Sequence, residues 1–406
     1  MIRNGIFGGR MNVLVIAPRF PWPLEKGDKL RLYQQLRLLS RHHTLHLFAI
    51  THVPVSEHDL SHLRSICSSI HLHHIPFWRA GWNMLKGLFS SVPFSVLYFS
   101  DQAAMGSLNR LHSEIQPDLI YGQLIRSGEY LKRLAGMKVI DMMDAFSLIM
   151  KQRAEHASWW SRPFLQWEAR RLQNYERDMP LHTSRQTFIS HRDRHEVDPD
   201  ERWPATIIPN GIDTTYFQSG SVSLDQEAYD LTFIGNLGYY PNYKAVLFLV
   251  HRIMPLVWSH RPATTLLLAG ARPVREIQKI ADRRVRVIPW LDDIRQGYRK
   301  GSIFVAPIHL GAGQQNKILE AMAMELPVIT TTHVNRGIQA KPNIDLLIAD
   351  QPEEFAAHIT RLLDAPADID NMTRSARTFV ETNYSWSTSV ETLENNVFLH
   401  DPSDHH

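Results

Sequence analysis

One cysteine, Cys67, stands in a chain of 406 residues. That excludes an intrachain disulfide framework and leaves no cysteine cluster for zinc, which fits a reducing cytoplasm. No run of eighteen apolar residues occurs, so no transmembrane helix is indicated. Met1 to Arg10 lacks an apolar centre and is not a secretory signal; a disordered leader over 1–10 is the expectation. G-x-G-x-x-G is missing too. The nearest string, Gly311 to Asn316, ends in asparagine, which speaks against an NAD(P) dehydrogenase with tandem nucleotide domains.

Charge of one sign is also scarce: 44 Lys and Arg against 41 Asp and Glu leave +3. The distribution is uneven. Residues 1–100 hold eleven basic and four acidic residues, a surplus of seven, so the remainder sums to minus four. A basic first part suits an acidic partner such as anionic lipid or a lipid-phosphate acceptor. No nucleic-acid-binding motif accompanies it, and no nucleic acid is expected. Two D-x-D strings, Asp198–Asp200 and Asp368–Asp370, read as loop carboxylates. Neither a metal nor a cofactor is expected.

What is present suffices for two domains with real cores. An apolar fraction of 44% and a charged fraction of 21% are those of a soluble globular protein. Residues 301–331, GSIFVAPIHLGAGQQNKILEAMAMELPVITT, read as strand, glycine-bearing loop, helix and strand. Such a loop leaves backbone N–H groups at a helix N-terminus, where the dipole favours an anion. Lys317 falls in the first turn of that helix, with Glu320 three residues on and on the same side. Lys317 can hold phosphate and Glu320 can accept from a ribose diol, so the pair suits a nucleoside diphosphate. Spacing alone equally allows a solvated surface pair.

The same segment resembles the donor site of retaining family 4 glycosyltransferases, enzymes of GT-B fold. Their motif has two glutamates eight apart, the second in an E-A-M-A helix. Glu320 to Ala323 matches the second half, whereas the position eight earlier is Ala312, so the first glutamate is missing. The run GxGxxNKxLEAMAMxxPV is similar to sugar transferases associated with exopolysaccharide synthesis. The resemblance implies two Rossmann-like doubly wound α/β domains facing a cleft, with a C-terminal helix crossing back. It implies transfer of a sugar from a UDP-, GDP- or TDP-sugar donor to a glycan or lipid-linked acceptor, with retention. Catalysis would fall to Lys317 and Asp144. Donor contacts would come from Gly235, Asn236, Leu291, Gly313, Gln314, Gln315, Asn316, Lys317, Ile318 and Glu320, and acceptor contacts from Lys26 and Gly27. Met11 is the start the resemblance suggests. The rivals are a nucleotide-sugar 2-epimerase of the same fold and a silent nucleotide-sugar-binding scaffold.

Along the chain, Asn12 to Ala17 predicts a buried parallel strand, followed by a proline-rich loop to Asp28 and a helix over about 29–41. Trp78, Trp82, Leu85, Leu88 and Phe89 fall at helical spacing with Arg79 and Lys86 nearby. Such a stripe either lies in a membrane interface, on the inner face of the plasma membrane, or is core. Asp141, Asp144 and Ser147 match a D-x-x-D-x-x-S stretch of the related subgroup; Asp144 is the expected cleft residue and Asp141 a structural one. Residues 159–179 read as a long helix whose charges form a solvated face. Ile207 to Asp213 is similar to the family's inter-domain linker. Asn242 is expected to cap a helix over 243–251, and Lys244 is the candidate there for a diphosphate-binding cation. The expected domains are 11–204, binding acceptor, 205–382, binding nucleotide sugar, and a crossover helix and tail over 383–406.

Overall fold

The computed structural model describes residues 9–155, 157–220, 227–311, 314–365 and 369–399. Gly313, Asp368 and residues 1–8 and 400–406 lie outside them. The chain divides into two compact units: one runs up to Pro209 and resumes at Ser389, the other is Asn210–Thr388.

The first unit is built on seven parallel strands: β1 Asn12–Ala17, β2 Thr44–Thr51, β3 Ser69–His74, β4 Leu119–Gln123, β5 Lys138–Met143, β6 Arg185–Phe188 and β7 Ala205–Ile207. Their order is β3-β2-β1-β4-β5-β6-β7, so the winding direction reverses between β1 and β4. Val13 to Ala17 are each at most 1% exposed. A parallel strand covered by helices on both faces has no wet side, which is why this run does not alternate. The second unit has six parallel strands: β8 Tyr229–Ile234, β9 Leu266–Ala269, β10 Val285–Ile288, β11 Gly301–Ala306, β12 Val328–Thr330 and β13 Leu347–Ile348. Their order is β10-β9-β8-β11-β12-β13, reversing between β8 and β11. In doubly wound sheets, sites form at the carboxyl ends of the strands beside such reversals.

Two helix starts differ from expectation. The first helix spans Gly27–Leu39, so Gly27 is its first residue and Lys26 precedes it. The helix expected from 243 spans Tyr240–Phe248, because Pro241 is tolerated in a first turn where its missing N–H costs nothing. Asn242 therefore lies inside the helix and does not cap it; its Nδ2 donates to the Asn236 carbonyl at 2.9 Å.

The long helix spans Arg162–Asp178, and its charges form a solvated face only in part: Arg170 and Arg177 are exposed, whereas Glu168, Arg171 and Glu176 are buried. Each satisfies backbone groups of a neighbouring segment. Arg171 Nη2 donates to the carbonyls of Gly87, Ser90 and Val92. Glu168 accepts from the Ser95 amide and Glu176 from the Ser147 amide, at 3.3 and 3.2 Å. The last helix, Trp386–Leu393, continues into a π-turn, Glu394–Phe398. Val390, Leu393, Val397 and Phe398 join the core beneath β1 and β2 of the first unit.

Candidate functional site

In the second unit, the chain leaves β8 at Gly235. A Cβ there would stand 3.0 Å from Asn242 Nδ2 and 3.1 Å from Lys317 Cε, so any larger residue would press both side chains back from the turn. Gly270 (φ 137°) adjoins it, and its Cβ would stand 1.9 Å from the Gly235 carbonyl oxygen. Asn236 accepts from the Gly238 amide at 3.0 Å, shaping the loop. The helix Asn316–Ala323 aims its N-terminus at the same place. Lys317 Nζ donates to Gln315 Oε1 at 2.8 Å. Burial pushes the Lys317 ammonium down to about 8, against the pull of Glu320. A buried cation beside helix N–H groups has the chemistry to receive an anion such as phosphate. Two buried amide oxygens, Asn242 Oδ1 and Asn316 Oδ1, have no hydrogen-bond partner among the described residues.

Glu320 stands one turn beyond. Tyr298, fully buried on the helix Ile294–Arg299, donates its hydroxyl to Glu320 Oε2 at 2.6 Å. Burial raises the Glu320 carboxyl; the Tyr298 hydrogen bond and Lys317 pull the other way. Spacing gave no signal for Tyr298, since its partner lies on another helix. Arg272, left-handed at φ 56° on the loop after β9, is a second residue missed, its carbonyl oxygen lying against Gly238.

Other expected donor contacts are reassigned by the geometry. Both ends of the Gln314 amide are engaged by the Asn210 backbone, at 2.9 Å each, so it fastens the linker. Ile318 is wholly buried with its amide on the Gln315 carbonyl, a packing residue with nothing left for a ligand. Leu291 packs toward Gly297 at the end of Ile234. Lys244 lies over the rings of Tyr240 and Tyr243 at 5.4 and 5.5 Å, which is a surface cation–π arrangement.

In the first unit, Asp144 follows β5. The register of β5 on β6 shifts between Asp141 and Met143, and Met143 sits at φ 59°. A non-glycine residue in the left-handed region is strained, and such strain is held where the surroundings over-determine it. Here the Met143 carbonyl accepts from Ile189, and the Ala145 amide donates to Asp193 Oδ1 at 3.1 Å. Burial, and then the Asp193 carboxylate, push Asp144 up to about 7. Asp141 is structural. It is fully buried and bidentate with Arg31 at 2.7 and 3.1 Å, and accepts from Tyr121 and Thr187 at 2.9 Å. Burial would raise its carboxyl, but Arg31 and these hydrogen bonds hold it below the ordinary range.

Lys26 lines a cavity of about 410 Å³ with Arg19, Trp22, Lys29, Phe77 and Phe99. A Cβ at Gly27 would meet nothing within 4 Å, so open space adjoins this position. Asp198 is buried and accepts from the Trp203 amide at 2.9 Å, closing a loop.

Residues 228–365 match the family model described as "Glycosyl transferases group 1". That stretch contains the Gly235 turn, Lys317 and Glu320. An uncharacterized 44.6 kDa protein in the cps region of Klebsiella pneumoniae is 22% identical over 92% of this chain and 96% of its own length. Among solved structures, Anabaena HepE in complex with UDP superposes with a TM-score of 0.68 at 14% identity, over 96% of this chain and 100% of that one. Sucrose-phosphate synthase from Thermosynechococcus elongatus gives 0.67 at 16% identity, over 96% and 99%. WaaG, a glycosyltransferase involved in lipopolysaccharide biosynthesis, gives 0.63 at 14% identity, over 95% and 100%. The fold is GT-B. No helix among the described residues is long and apolar enough to cross a membrane.

Proposed function

We propose that this chain is a retaining glycosyltransferase of cell-surface polysaccharide assembly, taking its sugar from a nucleoside-diphosphate donor. One observation carries the reading: Lys317, at the N-terminus of its helix, closes onto the Gly235 turn with Glu320 one turn further on. The diphosphate would lie against Lys317 and the backbone N–H groups, and the ribose diol would donate to Glu320. HepE, of the same fold, has been solved with UDP and with UDP-glucose, which supports a uridine diphosphate sugar as donor. The cps-region relative supports a place in polysaccharide assembly.

In the reaction, the bond from the anomeric carbon to the diphosphate oxygen breaks and a bond to an acceptor hydroxyl oxygen forms. Negative charge develops on the leaving diphosphate, where fixed cationic and dipolar groups act most strongly. The hydroxyl proton passes to Asp144, whose environment favours holding a proton near neutrality. Glycan or lipid-linked acceptors fit the first unit, whose aromatic and basic surface would rest on the inner face of the plasma membrane. A thermal-shift screen of UDP-, GDP- and TDP-sugars tests the reading. One nucleotide should raise the melting temperature, and Lys317→Ala should abolish that rise; no response to any of them would overturn it.

A further inference from the structure

Arg126 lies in the turn Ile125–Ser127 directly after β4, beside the reversal between β1 and β4. The chain enters that turn through Leu124, which is left-handed at φ 61°. The guanidinium sits between two rings, 5.1 Å from the centroid of Phe99 and 4.7 Å from that of Phe146. Among the described residues no hydrogen bond and no ion pair reaches it, and its Nε is buried without a partner. Arg19 stands over the same Phe99 ring at 5.6 Å. The Asp28 carboxylate is already taken by Arg19, at 2.7 Å. Burial, and then Arg19, push Arg126 down to about 10, which still leaves it cationic at neutral pH.

A guanidinium held among apolar rings without a counter-charge is costly, and one reason to keep it is a ligand that supplies the charge. Arginine is suited to that task because its planar fork pairs with two oxygens of a phosphoryl or carboxylate group. The Phe99 ring that both guanidiniums approach also lines a cavity with Arg19, Lys26 and Lys29, where the basic residues outnumber the acidic Glu25 and Asp59. Arg126 follows β4 and Asp144 follows β5, the parallel strand paired with it, so both residues come at the carboxyl end of the same sheet.

We infer that the first unit binds an acceptor bearing an oxyanion, a phosphoryl or a carboxylate group, and that Arg126 with Arg19 receives it. The inference rests on the glycosyl-transfer reading and names the acceptor's chemical class. The test is a titration of the full chain, with UDP in excess to occupy the Lys317 site, against glycerol phosphate, methyl glucuronide and neutral methyl glucoside. One of the two anions should bind, and which one decides between a phosphoryl and a carboxylate. Arg126→Met should weaken that binding at least tenfold, Arg126→Lys should restore part of it, and the melting temperature of Arg126→Met should be unchanged or higher. The inference is overturned if neither anion binds, if Arg126→Met binds as well as the wild type, or if that variant's melting temperature collapses. Absence of UDP binding would instead count against the donor site. The same titration, repeated in Lys317→Ala without UDP, would still decide the role of Arg126.

Discussion

Lys317 is the residue on which the proposed reaction depends most directly. Removing a cation from a charge-developing leaving group costs about 3 kcal/mol of transition-state stabilisation, comparable with losing an oxyanion donor. Lys317→Ala should therefore lower turnover on the order of a hundredfold with an unchanged melting temperature. Because its ammonium is depressed to about 8, nucleotide affinity should also fall as pH rises above that value, by up to about tenfold per unit. Titrating UDP at pH 7 and pH 9 checks this, and Lys317→Arg should flatten the dependence. Asp144 is the second such residue. Raised to about 7, it should give the acidic limb of kcat/KM an apparent pKa near neutrality. In Asp144→Asn that limb should vanish along with most of the rate. An unchanged profile in the variant would assign the limb elsewhere. Tyr298 and Arg272 belong to the same scale but escaped notice, because neither lies at a readable spacing from the residues it joins.

The Arg162–Asp178 helix shows how a charged pattern misleads. Charges along an amphipathic helix ordinarily face water, yet here three of them end under neighbouring chain segments and satisfy backbone groups there. Glu176 carries a measurable consequence. Burial raises its folded pKa to about 7, above the unfolded value, so the native state binds more protons between roughly pH 4.5 and 7. Its contribution to stability is therefore greatest at low pH and declines as pH rises through 7. Glu176→Gln should stabilise the protein by on the order of 2 kcal/mol more at pH 8 than at pH 5, each pKa unit being about 1.4 kcal/mol. Melting curves at the two values decide it, and an equal shift at both would remove ionisation as the cause. The Phe77–Lys86 helix is the opposite case. Its periodicity allowed either membrane interface or core, and the structure leaves Trp78 74% exposed and buries only Ala80 in the helix, with Phe89 of the turn that follows 95% exposed.

At the scale of the whole molecule, that helix is part of a larger surface of the first unit. Arg171 ties the turn after it to the long helix, where Trp167 and Phe164 pack on Phe94 at ring distances of 5.5 Å, and Trp159 and Trp160 are also exposed. Lys86 adds charge, while Arg79 is paired with Asp101 at 2.7 Å; a basic residue contributes roughly 1 kcal/mol near an anionic bilayer. Replacing Trp82 and Phe89 together with serine should abolish co-sedimentation with anionic vesicles and leave the melting temperature unchanged. Wild-type protein that never sediments at low salt would remove the membrane from the reading.

What the sequence determined by itself is whatever repeats along the chain or depends on neighbours within a turn. The buried apolar runs announced parallel strands because such strands are covered on both faces, and the glycine loop with Lys317 and Glu320 lies within one helix. Only the tertiary structure decided the rest, because those effects arise between segments distant in the chain. The Gln314 amide is held by a backbone 104 residues away, and Asp141 was neutralised by Arg31, 110 residues away. Arg126 has the reverse history: in the sequence it is one arginine among many, and its unpaired charge exists only where folding sets it between Phe99 and Phe146 and gives the nearby Asp28 to Arg19.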